Sequence, residues 1–393
     1  MACIGIFDSG EGGLSVLKEI TRLLPDEKYI YYSDNAYCPY GEKSPEFIQV
    51  RACAITEELL RRGADIIVVA CNTATAAAIS KLRSDYSDAA SGEVRERVLS
   101  LTGGRHDHVR FIGMEPAVKP AALGTKSGTI GVLATAGTLK GSKYLNTKGS
   151  VDDNVRVVEH VGRGFVELVE SGCLSGKEAE STVRASLSPL LQAGADIIVL
   201  GCTHYPFLLP VLQQVAGPDI RFIDPAPAVA RQLVHVMSEE HLLSPEKAGA
   251  ALPLSSEPLS NSAAARTRTL NPAPARFGTP VHPGTPAVTL LSSGDRVKPK
   301  SGVDTLLSTA KELISLEPYY DRDYNGHIGY AANVVCLPMP ASINHDAAAL
   351  CEKILSGEVK GEPQDAPFGG NSNHASLGAF GVRFDPEQIY EKS

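Results

Sequence analysis

Two cysteines stand at the ends of two nearly identical strings. Gly63-Ala64-Asp65-Ile66-Ile67-Val68 leads, with two residues intervening, to Cys71, and Gly194-Ala195-Asp196-Ile197-Ile198-Val199 leads in the same way to Cys202. Polar donors follow both: Asn72 and Thr73 after the first, Thr203 and His204 after the second. Two thiols delivered by two similar units to one cleft can do a particular chemistry. One base removes a proton from a carbon, an acid on the opposite face returns one, and the roles reverse in the other direction. Near two-fold symmetry suits such an exchange, which is a racemisation. The competing reading is two buried apolar cysteines at strand ends, and the polar neighbours count against it because Asn, Thr and His beside a buried strand need partners.

The local setting supports reactive thiols. Cys71 falls between an apolar run and a helical pattern beginning near Thr73, and a helix N-terminus favours a thiolate. Asn72 and Thr73 offer donors to a substrate carboxylate there. His204, two residues after Cys202, can carry or donate a proton, and Pro206 suits the first turn of a following helix. Asp8-Ser9-Gly10-Glu11-Gly12-Gly13-Leu14 lies just after another apolar run. It lacks the Gly-x-Gly-x-x-Gly order of a phosphate loop, and Asp8 would repel a pyrophosphate. A carboxylate at that edge fits better as the partner of an ammonium group or a thiol. Asp34 follows a second apolar run, with Cys38-Pro39-Tyr40-Gly41 on the same rim. For Cys3, Cys38, Cys53, Cys173, Cys336 and Cys351 the default is a small buried apolar residue.

These residues must be held by elements, and the chain alternates short apolar runs with longer helical patterns. Strands are expected over 4–7, 29–33, 66–70, 111–113, 129–133, 197–200 and 221–223, and helices over 14–24, 46–62, 72–83, 164–171 and 178–193. That alternation predicts parallel sheets with helices on both faces, whose strand C-termini bind ligands. A weaker echo of 4–10 at 130–137 comes at nearly the same offset as the cysteine strings. Two echoes in one order predict an α/β protein of two pseudo-symmetric, doubly wound domains with mainly parallel sheets, plus insertions and a C-terminal extension. The expected spans are 1–108 for the first domain, with 211–237 and 287–317 returning to it, and 109–210 for the second. Residues 85–108 read as an inserted loop, and 238–286, dense in Ser, Ala and Pro, as a flexible low-complexity insertion. The extension, 318–393, has no assigned role, with one candidate helix over 346–355.

Length, 393 residues, allows two domains plus extra segments. A hydrophobic content of 43% with 21% charged residues describes a globular chain, and a net charge of −8 weighs against nucleic acid as a required partner. No apolar run is long enough for a membrane span, and no signal peptide is evident, so a cytoplasmic protein is expected. In that compartment eight cysteines do not suggest a disulfide framework, and without a Cys-x-x-Cys pair no structural zinc is expected.

Taken together, Asp8-Ser9-Gly10-x-Gly12-Gly13-Leu14, Cys38-Pro39-Tyr40-Gly41, Cys71-Asn72-Thr73-Ala74, Glu115-Pro116 and Gly201-Cys202-Thr203-His204-Tyr205-Pro206 resemble the glutamate racemase family in its own order. The resemblance covers about 3–237 and resumes at Thr289-Leu290-Leu291-Ser292-Ser293-Gly294-Asp295, which looks like the family's final strand. It implies that Cys71 and Cys202 handle the proton on opposite faces, assisted by Asp8, Asp34, Glu170 and His204. It implies substrate binding by Ser9, Tyr40, Gly41, Asn72, Thr73 and Thr203 together with Asp8 and His204. It also implies no metal and no pyridoxal phosphate, hence no cofactor, and D-glutamate for peptidoglycan. Oligomeric state varies across the family, with a homodimer one form open to this chain. Departures are Gly162-Arg163 where members often carry Cys-Pro ahead of the Glu170 segment, Asp224-Pro225-Ala226-Pro227 for a more usual Asp-Ser-Gly-Glu-like run, and the extra segments. An N-terminal extension used for activation in some members is not expected. The nearest rival is aspartate racemase or a relative, which tends to start Gly-Gly-Met and carry Cys-Thr-Glu; Asp8-Ser9 and His204 favour glutamate. A non-catalytic inhibitor of a DNA enzyme is the rival from another class, and the acidic balance and intact cysteine pair weigh against it.

Overall fold

The computed structural model describes residues 1–243, 287–293, 318–319, 329–330 and 334–338. Two parallel sheets of the same plan organise them. In the first, β1 (Cys3–Asp8) lies between β2 (Lys28–Ser33) and β3 (Ile66–Val69), with β4 (Phe111–Gly113) beyond β3. In the second, β5 (Thr129–Ala134) lies between β6 (Arg156–Val161) and β7 (Ile197–Gly201), with β8 (Arg221–Ile223) beyond β7. The sequence echoes pair with one another in matching register: Ile4 sits opposite Ile66 and Ile130 opposite Ile197. Pseudo-symmetry is thus a property of the backbone. β1, β3, β5 and β7 are apolar on both faces because helices cover both sides.

The repeated Gly-Ala-Asp string has structural work of its own. Gly63 and Gly194 turn out of the preceding helices at φ 103° and 84°, where a side chain would be strained. Asp65 accepts from the Cys3 amide at 2.8 Å, and Asp196 accepts from the Lys126 and Ser127 amides at 2.6 and 3.1 Å, so each carboxylate pins the start of a sheet.

Helices α1 (Leu14–Leu23), α2 (Pro45–Arg61), α3 (Asn72–Tyr86) and α4 (Gly92–Leu101) belong to the first sheet. α5 (Val118–Gly124), α6 (Ala136–Lys140), α7 (Ser142–Gly149), α8 (Phe165–Glu170), α9 (Gly176–Gln192) and α10 (Leu209–Ala216) belong to the second, and α11 (Ala226–Glu239) returns to pack on α1. One core is continuous between the two units: Ile4, Ile6 and Leu17 share it with Leu187, Ile198, Leu200 and Leu233. The outer faces of the two sheets have separate cores around Phe7, Ile67 and Ile79 and around Ile130, Val132 and Val199.

Several expectations change. The sheets part at other points than the expected spans: 111–113 pairs with β3 and stays in the first, while 209–223 stays in the second, and only α11 returns before residue 240. Strand pairing decides this, and three-residue strands carry no periodicity. The loop expected over 85–108 holds the end of α3 and all of α4, which is capped by the Ser91 hydroxyl accepting from the Val94 amide. α4 looked polar because only Val94 and Val98 of it are buried. The final strand is present as β9 (Ala287–Ser292), parallel to β2. Beyond it lie β10 (Pro318–Tyr319), β11 (Gly329–Tyr330) and β12 (Val334–Pro338), with β12 parallel to β9, so part of the extension widens the first sheet. Residues 244–286, 294–317 and the candidate helix over 346–355 lie outside the described residues.

Candidate active site

The strand C-termini of the two sheets face one another, and the polar motifs meet there. Cys71 follows β3 and caps α3, its Sγ accepting from the Ala74 amide at 3.4 Å. Asp8 ends β1, fully buried beside it. The Asp8 carboxylate accepts from the Gly13 amide at 2.7 Å, from Ser9 Oγ at 3.4 Å and, across the domain boundary, from Thr203 Oγ1 at 3.3 Å. Cys71 Sγ lies 3.8 Å from Ser9 Oγ. Burial first, and the Asp8 charge second, push the Cys71 thiol well above its ordinary value, outweighing the Ala74 amide. The helix N-terminus alone, from which a thiolate was expected, therefore does not decide its state. Burial also raises Asp8, against the lowering effect of His204.

Cys202 follows β7 in the equivalent place, and its Sγ lies 3.7 Å from His204 Nδ1. The other imidazole nitrogen, Nε2, is 2.6 Å from Glu170 Oε1, and the same oxygen accepts from the Glu11 amide at 2.8 Å. Burial disfavours the imidazolium, yet bonds to Cys202, Cys38 and Glu170 prevail and hold His204 well above its ordinary value. Glu170 is correspondingly lowered: burial opposes its charge, and His204 more than offsets it. Cys71 is close enough to Cys202 to feel its charge.

The glycines of the Asp8 loop are required by close approach. A Cβ on Gly12 would fall 2.3 Å from His204 Nδ1, and one on Gly10 would fall 2.2 Å from Glu170 Oε1. The loop from the first domain is thereby packed against the His204–Glu170 pair of the second.

Asp34 is placed differently from its expected role. Arg51 of α2 grips it with Nε at 2.9 Å and Nη2 at 2.5 Å, and the Tyr40 hydroxyl donates to it. Both ions are buried. Asp34 anchors the loop that carries Tyr40 and Gly41; its carboxylate is committed to that ion pair, and the Tyr40 hydroxyl is committed to Asp34. Gly41 packs against Thr135, whose Cβ would be 3.1 Å from a Cβ at that position. Thr73 Oγ1 is 2.9 Å from Thr135 Oγ1, and Thr138 Oγ1 lies 2.9 Å from Thr135, forming a hydroxyl cluster across the two domains. Both amide atoms of Asn72 are buried with no partner among the described residues, an expensive arrangement unless a ligand supplies one.

Four residues escaped the sequence reading. Thr135 and Thr138 follow β5 as Ser9 follows β1, so the weaker echo carried a signal for a hydroxyl at Thr135. Arg51 lies in the middle of an amphipathic helix and gave none. Glu11 occupies the variable position of its motif; burial and then Glu170 push its carboxyl up to about 7.

Residues 107–233 match a family model described as Asp/Glu/Hydantoin racemase, and the curated relatives that follow make the protein an amino-acid racemase by class and an isomerase by reaction. The chain is 44% identical over 249 residues to the glutamate racemase of Ectopseudomonas mendocina, covering 63% of this chain and 87% of that protein. It is 44% identical over 240 residues to that of Roseiflexus sp., covering 61% and 81%. It also superposes on the Escherichia coli glutamate racemase solved with L-glutamate and the activator UDP-MurNAc-Ala, at a TM-score of 0.56 and 28% identity, covering 79% of this chain and 95% of that one. On the Thermus thermophilus enzyme the values are 0.55, 26%, 87% and 98%. The chain belongs to the glutamate racemase family. No described helix is long and apolar enough to cross a membrane.

Proposed function

We propose that this enzyme interconverts L- and D-glutamate by moving the α-proton between two thiols, with no metal or organic cofactor. The carrying observation is that Cys71 and Cys202 end equivalent strands of two facing sheets, each beside its own proton partner: Asp8 for one, His204 with Glu170 for the other. The substrate's ammonium group brings to Cys71 the positive charge that the free site lacks, which favours the thiolate at the moment it is needed. That thiolate takes the α-proton on one face, and Cys202, refilled through His204, delivers one on the other. The α3 N-terminus, Asn72 and Thr203 stabilise charge developing on the α-carboxylate. The backbone around Ser9 and the cluster of Thr73, Thr135 and Thr138, closed by Gly41, hold the rest of the molecule. Asp34 and Arg51 position the Tyr40–Gly41 loop.

D-Glutamate made this way supplies the bacterial cell wall, the family's role. A cytoplasmic location belongs to this reading, and a homodimer is its assembly to be checked by light scattering. The decisive assay follows optical rotation from L-glutamate and from L-aspartate with dialysed protein and no additions. Turnover of glutamate is expected, with a bell-shaped dependence of kcat/KM on pH that reports macroscopic values of the coupled site. Preference for aspartate, or activity that died with a chelator and returned only with zinc, would overturn it.

A further inference from the structure

We propose that Cys38, Glu170 and His204 form a binding site for a soft divalent cation, zinc above all, and that its occupation inhibits racemisation. Among the described residues these three form a Cys–Glu–His cluster whose ligand atoms all lie within 4.8 Å of one another. His204 is buried, and Cys38 and Glu170 are partly buried, so the donors are held rather than waving in solvent. Two of them close on Gly10 and leave no room for a side chain there: a Cβ would sit 2.2 Å from Glu170 Oε1 and 2.8 Å from Cys38 Sγ. One sulfur, one imidazole nitrogen and one carboxylate oxygen suit zinc, which takes three protein ligands and leaves a fourth position to water.

The bonds needed are about 2.0–2.3 Å, which sets neighbouring donors roughly 3.3–3.7 Å apart around the metal. His204 Nε2 and Glu170 Oε1, now 2.6 Å apart, must separate by about 1 Å. Two protons leave, one from the Cys38 thiol and one shared between His204 and Glu170, and both go to solvent. With the metal on Nε2, His204 keeps its proton on Nδ1, facing Cys202 Sγ at 3.7 Å. The imidazole is then fixed as a donor and stops shuttling, in the way an outer partner fixes any metal-bound His. The inhibitory half of the proposal rests on His204 being the proton partner of Cys202; the binding half does not.

The test uses the full chain, free of metal. Zn²⁺ is titrated against a chromogenic chelator, and Co²⁺ is followed by its thiolate charge-transfer band. One equivalent is expected to bind, racemisation of glutamate to fall below a tenth, and EDTA to restore it. Cys38 packs beside His204, so Zn²⁺ inhibition of Cys38→Ser and Cys38→Ala is read against each variant's own metal-free turnover. Both should lose the Co²⁺ band, resist Zn²⁺ inhibition and bind Zn²⁺ more weakly by well over the roughly 10–100-fold that an outer partner is worth. Equal Zn²⁺ affinity in wild type and both variants would overturn the site, as would a Co²⁺ band that survives them and vanishes in Cys71→Ser or Cys202→Ser. Saturation with Zn²⁺ without loss of turnover would overturn the inhibitory role. A chain that never turns over glutamate refutes the racemase reading instead, and the Co²⁺ spectrum still decides the metal site.

Discussion

At the scale of single residues the two thiols are alike in placement and unlike in surroundings. Cys71 has a carboxylate neighbour and Cys202 an imidazole one. Replacing either with serine substitutes a far weaker base at neutral pH. Cys71→Ser and Cys202→Ser should each lower racemisation by about 10²–10⁴-fold, while exchange of the α-proton with deuterated solvent persists on the surviving face; full turnover in either variant would falsify the two-thiol mechanism. Asp8 can be separated from a mere packing role. Its negative charge raises the Cys71 thiol, so removing it lowers that pKa. In Asp8→Asn, alkylation of Cys71 by iodoacetamide should set in at lower pH than in wild type, yet racemisation should slow. A midpoint that stays put or moves up means Asp8 does not face the thiol as described. Asp34 gives a third case. Arg51→Ala strands a buried carboxylate and should cost about 3–5 kcal/mol in chemical denaturation. Asp34→Asn combined with Arg51→Met should cost much less, and equal losses would show that the ion pair matters only as volume.

At the scale of elements, the site depends on strand ends and on a loop that can approach them closely. β1, β3, β5 and β7 each end where a residue of the proposed site begins, because parallel strands flanked by helices leave their C-termini as the open edge. The Asp8 loop then crosses to the second domain through Gly10 and Gly12. Gly12→Ala would drive a methyl to 2.3 Å from His204 Nδ1. The expected result is a loss of kcat of at least about 10²-fold, as for misplaced catalytic groups, with a stability cost of only about 1–3 kcal/mol. Thermal unfolding and kinetics on one preparation check both, and an unchanged kcat would mean the loop can move away freely. Apolar periodicity exposed most of these elements in advance. It gave no bounds for α4, α5, α6, α7, α10, α11 or β6, and in α4, α6, α7 and β6 the buried residues are too few or too scattered to repeat.

Over the whole molecule, the site exists only where the two sheets are apposed. Thr203 reaches Asp8, Thr73 reaches Thr135, and the Ser15 hydroxyl donates to the Thr203 carbonyl at 3.1 Å, each bond joining one domain to the other. A ligand held between them must stabilise both. At a glutamate concentration of 100 Kd the gain is about 2.7 kcal/mol, and calorimetry of the Cys71→Ser/Cys202→Ser double variant, in which no turnover interferes, should show a higher Tm with both domains unfolding together. A shift confined to one of two separate transitions would place glutamate outside the shared cleft.

The duplicated strings and the polar run after each cysteine determined, in sequence alone, a two-domain α/β plan and the pair of thiols at equivalent strand ends. Those features are local: apolar runs, turn glycines and the residue next after a strand are written in consecutive positions. The tertiary structure alone decided which charged groups lie beside each thiol. Asp34 follows β2 much as Asp8 ends β1, but Arg51, seventeen residues on, comes back in space to neutralise it. Cys71 caps a helix that should lower its pKa, and burial together with Asp8 raises it. Thr135, Thr138 and Glu11 gain their places from the facing domain. Burial and electrostatic coupling act through space over a few ångströms, between residues that the chain separates by tens or hundreds of positions, and only the packed molecule fixes those distances.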